Sequence, residues 1–200
     1  MKATLSGCKT QLVKATLSQA QGLIFVVLVL TGALSRLVPH GWNFTAMGAV
    51  TIVSGLLIKN RTLSITAPLL ALLISDVVIG FHSTMIYVYG AYALIVGLGL
   101  LFSQDRKFKN IILTSVAASL LFFIISNFGV WAQGVMYPLN ISGLMQCFMM
   151  GVPFYKNQFL SDLIFTPLLF FSLVKLLNSF TLSTIKSGPV LNTSKIIKPT

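Results

Sequence analysis

Glutamate is absent from this chain of 200 residues, and Asp and Glu together number only 3. Charged residues make up 8% of the sequence, where a soluble domain carries roughly 25%. So few charges cannot cover a water-facing surface, which excludes a soluble enzyme or binding module. Cysteine is as scarce, at 2 residues. Cys8 and Cys147 stand in different settings and do not form a disulfide framework, and no CxxC or Cys/His spacing suits zinc. No metal or cofactor is expected. Catalytic signatures are missing too: there is no GxSxG, no HExxH and no P-loop. Asp76 and Asp162 are the acidic residues inside apolar sequence. An acid/base dyad made from them would be an intramembrane enzyme, but neither has a GxGD context, so no catalytic residue is expected.

What is present is apolar: 56% of residues are hydrophobic, and the mean hydropathy is +0.90. A helix needs about 20 residues to cross the hydrocarbon of a bilayer. Six spans are expected, at Gln19–Leu37, Phe44–Ile58, Ser64–Gly80, Thr84–Phe102, Asn110–Asn127 and Gln158–Asn178. The stretch Ile141–Val152 is too short to cross and reads as a re-entrant or interfacial segment. The sequence therefore predicts an all-α polytopic membrane protein. Residues 1–18 form an N-terminal tail, residues 19–178 the membrane domain, and residues 179–200 a flexible basic tail.

The basic excess, a formal net charge of +11, sits in short clusters between apolar runs. It reads as anchoring at a membrane surface rather than a nucleic-acid face. Counted alternately, the N-terminal tail, the Lys59–Arg61 loop, the Arg106–Lys109 loop and the C-terminal end fall on one side. Only Arg36 and Lys156 fall on the other. The positive-inside rule then places both termini in the cytoplasm.

The base-poor side holds most of the other polar and aromatic groups. Its loops carry His40, Trp42, Asn43, His82, Asn127 and Trp131, with Tyr87 and Tyr89 close by. An aromatic belt accounts for Trp and Tyr at an interface, but it calls for neither two His nor a Pro-His-Gly turn. The expected ligand-binding set is His40, Asn43, Asp76, His82, Tyr89, Asn127 and Trp131. Arg36, Asp76 and Asp162 come from three helices at similar depth, and charges inside a span usually face the bundle interior. They are expected to form a structural ionic cluster, with Asp76 also serving the site.

The stretches Arg36–Thr45, Pro68–His82 and Phe122–Trp131, with Gly143, Leu144, Cys147 and Pro153–Tyr155, resemble a family of small bacterial membrane proteins. That family has unknown function and is labelled a transport protein. It is similar in length and span number to the substrate-binding S-components of energy-coupling-factor vitamin transporters. The resemblance implies six helices, cytoplasmic termini, and an outward site for a vitamin-like molecule in the bacterial inner membrane. It also implies an energising module as partner. The small residues four apart that serve such docking are missing from the first span, where there is no AxxxA. The nearest such pair is Ala67–Ala71 on the third. An accessory or assembly subunit whose outer loops bind a partner protein is the alternative.

Overall fold

The computed structural model describes residues 2–39 and 41–187, with side chains described over 18–39 and 41–179. His40 lies outside the described residues. The described chain is all-helical and runs α1 (Lys2–Leu37), α2 (Met47–Leu57), α3 (Arg61–Ile79), α4 (Met85–Leu101), α5 (Phe108–Ala132) and α6 (Ile141–Ser187). Among the described residues, four helices are long and apolar enough to cross a membrane: Ser18–Leu37 within α1, all of α3 and α5, and Ile141–Ser179 within α6. Helices are what such sequence must form in lipid, because each backbone group then bonds within its own segment.

The helices are apolar outside as well as inside. Val26, Leu30 and Leu34 on α1 and Leu160, Ile164 and Leu168 on α6 are exposed at spacings of four. Each set forms a stripe on one helix face, as a lipid-contacting surface requires. Small hydroxyl residues are buried between the helices. Thr51, Ser75, Thr114, Ser115 and Ser119 each bond a carbonyl one turn back on their own helix. They therefore satisfy themselves without a partner helix and let backbones approach.

The second expected span is much shorter than its apolar run. α2 has 11 residues, all of them buried, and rises about 16 Å, which does not cross a hydrocarbon core of about 30 Å. It packs against each of the other five helices. Its glycines allow this. A Cβ on Gly55 would meet the Val96 carbonyl oxygen at 2.5 Å, and one on Gly99 of α4 would meet the Ile52 carbonyl oxygen at 2.5 Å. Gln21 of α1 closes the far end, donating to the Leu57 carbonyl and accepting from the Lys59 amide.

One expected segment is joined to its neighbour, and both tails carry helix. Ile141–Val152 is not a separate segment: it opens α6, which continues through Pro153 and Pro167 for 47 residues. Pro153 reads as a breaker, but an apolar setting favours an unbroken backbone ladder. The connection between the last two helices is thereby residues 133–140, and Trp131 belongs to the last turn of α5. The expected N-terminal tail is helical from Lys2 onward. Residues 179–187 of the expected C-terminal tail likewise continue α6.

Candidate functional site

The polar groups at the base-poor end converge through one ion pair. Arg36, in the last turn of α1, donates from Nη2 to Asp76 Oδ1 of α3 at 2.6 Å. The Tyr89 hydroxyl of α4 donates to Asp76 Oδ2 at 2.8 Å. Both carboxylate oxygens are thus engaged, and Asp76 is fully buried. The close approach of α1 and α3 that permits the pair comes from Gly32, where a Cβ would meet the Ala71 Cβ at 2.8 Å. Ala67 and Ala71 are both fully buried, so this small-residue pair is used inside the bundle.

Arg36 also faces a cavity of about 260 Å³. Asn43, His82, Tyr92, Phe122 and Gln158 line it as well. A second cavity of about 340 Å³ shares Asn43, Val88 and Phe122 with the first and adds Ser126, Asn127, Tyr137, Cys147 and Phe154. The Arg36 Nη1 atom is buried without a hydrogen-bond partner among the described residues. Leaving such a donor without a partner is costly.

The loop between α1 and α2 reaches over these cavities and is fastened to α6. Trp42 stacks on Phe154 with ring centroids 5.5 Å apart. Asn157 donates to the Trp42 carbonyl at 2.9 Å, and Phe44 packs edge-on against Phe165. Asn43 sits at φ 57, a left-handed conformation that Asn tolerates better than most residues. Asn43 lines both cavities.

The expected site is rearranged in its details. Arg36, Asn43 and His82 come together at the first cavity, and Asn127 lines the second. Asp76 and Tyr89 do not line either one. They stand behind Arg36 and position it. Trp131 donates from Nε1 to the Pro138 carbonyl at 3.1 Å and also lies outside both linings. Asp162 does not join the ion pair. It is held by α5 and its own helix, with Oδ2 2.8 Å from Ser119 Oγ and 3.0 Å from Gln158 Nε2. Three charges at similar depth therefore resolve into one pair and one isolated carboxyl. The sequence reading missed Gln158 and Cys147 as lining groups. For Gln158 a signal existed: it stands four residues before Asp162, hence on the same helix face.

Two larger hollows lie elsewhere. One of about 520 Å³ is lined by Leu34, Val38, Leu168 and other residues of α1, α6 and the first loop. It opens on the apolar outer surface. One of about 530 Å³ at the base-rich end carries Lys59, Arg61 and Arg106. Neither holds any of the buried polar groups described above. No group of three or more His, Cys, Asp or Glu able to hold a metal occurs among the described residues.

No curated protein and no solved structure matches this chain. A family model matches residues 17–184, which include every helix that builds the two cavities, and the chain therefore belongs to the family of unknown function DUF6580.

Proposed function

We propose that this protein is a small-molecule uptake protein of the bacterial inner membrane, binding its ligand at the base-poor end, which faces outward. In this reading the chain passes from one side to the other six times, with both termini in the cytoplasm, and the second passage is made by α2 together with the non-helical residues 44–46 and Ile58 that flank it. The observation that carries it is Arg36, which lines the cavity, is tied to Asp76 through Nη2, and has an Nη1 with no hydrogen-bond partner among the described residues. A guanidinium already tied to a carboxylate by one nitrogen still offers a second donor, and charge-assisted hydrogen bonds to anionic oxygens are the strong ones. The ligand is accordingly a small molecule with a carboxylate or similar anionic oxygen at one end and a flat, mostly apolar body. Tyr92, Phe122 and Phe154 supply aromatic faces for that body, and Asn43, His82 and Asn127 supply hydrogen bonds. Together the adjoining cavities suit a vitamin-sized molecule.

A role as a binding protein rather than an intramembrane enzyme is favoured by the separation of the two embedded aspartates. Asp76 is held by Arg36 and Tyr89, Asp162 by Ser119 and Gln158, with no hydrogen bond in common. The likeness to vitamin-transporter S-components fits this reading. Docking on an energising module through an alanine pair does not, because Ala67 and Ala71 are buried against α1.

The test is native mass spectrometry of the protein released gently from detergent. A small anionic species should accompany the parent and be lost from the Arg36→Gln/Asp76→Asn double variant, which removes both charges and orphans neither. A species retained equally by the double variant, or none from any preparation, would move the reading to an accessory subunit.

A further inference from the structure

Asp162 lies in the bundle interior, with 1% of its surface exposed. Its Oδ1 atom is buried without a hydrogen-bond partner, and so is Oγ1 of Thr166 one turn further along α6. Oδ1 occupies the space a side chain would fill on Gly48 of α2. An ionised carboxylate with one bare oxygen and no counter-charge is among the most costly arrangements in a membrane interior.

The hydrogen bonds around Oδ2 suggest how that cost is avoided. Ser119 Oγ lies 2.8 Å from the Ser115 carbonyl oxygen and 2.8 Å from Asp162 Oδ2. A hydroxyl has one proton to donate, so it cannot make a full bond to both. A proton on Asp162 Oδ2 completes the chain: Oδ2–H donates to Ser119 Oγ, and Ser119 donates to the Ser115 carbonyl. The Gln158 amide then donates to the remaining lone pair of Oδ2, at 3.0 Å. Gln158 also lines the cavity that holds Arg36, so a single amide side chain links that cavity to the carboxyl.

We propose that Asp162 is a reversible proton-binding site, loaded and unloaded from the cavity at the base-poor end past Gln158. One proton passes from cavity water to Oδ2, converting carboxylate to carboxylic acid, and returns to water as pH rises. The site stands whatever molecule the cavity accepts.

Among the described side chains, charged neighbours do not supply an alternative counter-ion. α6 packs against α5, α2 and α1. α2 has no titratable residue, and that of α5 is Lys109 in its first turn, at the base-rich end. α1 brings Arg36, which is paired with Asp76. Tyr92 of α4 shares the cavity wall with Gln158, and the described side chains of α6 include Cys147, Tyr155, Lys156 and Lys175. None of these is hydrogen-bonded or ion-paired to Asp162 among the described residues.

With only 3 acidic side chains in the chain, infrared spectroscopy reads this site almost without background. Purified protein in an ester-free detergent should show a protonated-carboxyl C=O band at neutral pH. The band should shift when aspartate is isotopically labelled, vanish in Asp162→Asn, and survive in Asp105→Asn. It should fade reversibly as pH is raised. In the parent itself, dicyclohexylcarbodiimide should modify the peptide bearing Asp162 and spare those bearing Asp76 and Asp105. That arm holds even where the variant fails to fold. Absence of the band, its survival in Asp162→Asn, modification elsewhere with Asp162 spared, or a band that does not respond to pH would each overturn the proposal.

Discussion

Arg36 and Asp76 are the two residues on which the site turns. Asp76 is fully buried and the Arg36 side chain is 17% exposed, so removing either leaves its partner charged and poorly solvated. Breaking such a pair from one side costs on the order of 3–5 kcal/mol. Arg36→Gln and Asp76→Asn should each lower the thermal stability of the purified protein, and the double variant should lose less than the sum. Strict additivity would mean that the two do not touch. Tyr89→Phe, which removes one donor to the buried carboxylate, should cost about 1.5–3 kcal/mol. The pairing was legible in the sequence, because charges are so rare here that two at one depth on different spans have few other partners. The role of Tyr89 was not. Its tyrosine ring reads equally as an interface anchor, and only the crossing of α3 and α4 brings its hydroxyl to Asp76. Asp162 misled because depth along a span says nothing about rotation around the helix axis: it faces Ser119 of α5, not Arg36.

At the scale of elements, α2 makes the bundle cohere, and glycine lets it do so. Gly55 of α2 and Gly99 of α4 each occupy a point where a Cβ would strike opposing backbone. Backbone cannot yield as a flexible side chain can. Gly99→Leu should cost well over the 1–3 kcal/mol typical of overpacking and should show as loss of monodisperse protein on size exclusion. Gly97, two residues away on the same helix, has nothing within 4 Å of its would-be Cβ. Gly97→Ala should therefore be neutral or slightly stabilising. Equal damage from the two would refute the α2–α4 crossing. The long helices were readable from apolar run length alone. The ends of α2 were not. Phe44, Thr45 and Ala46 are as apolar as the helix that follows, but they stay in the loop. There the Ala46 amide donates to Ser35 Oγ and Phe44 packs on Phe165. The continuity of α6 was hidden by Pro153, whose helix-breaking strength in water overstates its effect in a long apolar helix.

For the whole molecule, the two ends differ in kind. One carries Lys59, Arg61 and Arg106 around a single hollow, and the other carries the Arg36 cavity under a fastened loop. The asymmetry of bases was plain in the sequence, whereas the cavity was not, because its walls come from all six helices and two loops. With the base-rich end inside, a cysteine placed at Asn60 should be shielded from a membrane-impermeant thiol reagent in intact cells. One placed at Ser83 should react. The reverse pattern would invert the proposed orientation. The central claim is that Arg36 anchors an anionic small molecule. It is tested most directly by thermal-shift titration of the purified protein with vitamins and precursors that carry a carboxylate, each beside its methyl ester. The parent should bind at least one acid about tenfold or more tighter than its ester, as the loss of one charge-assisted hydrogen bond implies. That preference should disappear in the Arg36→Gln/Asp76→Asn variant. Equal affinity for acid and ester, or a preference that survives in the double variant, would contradict the account.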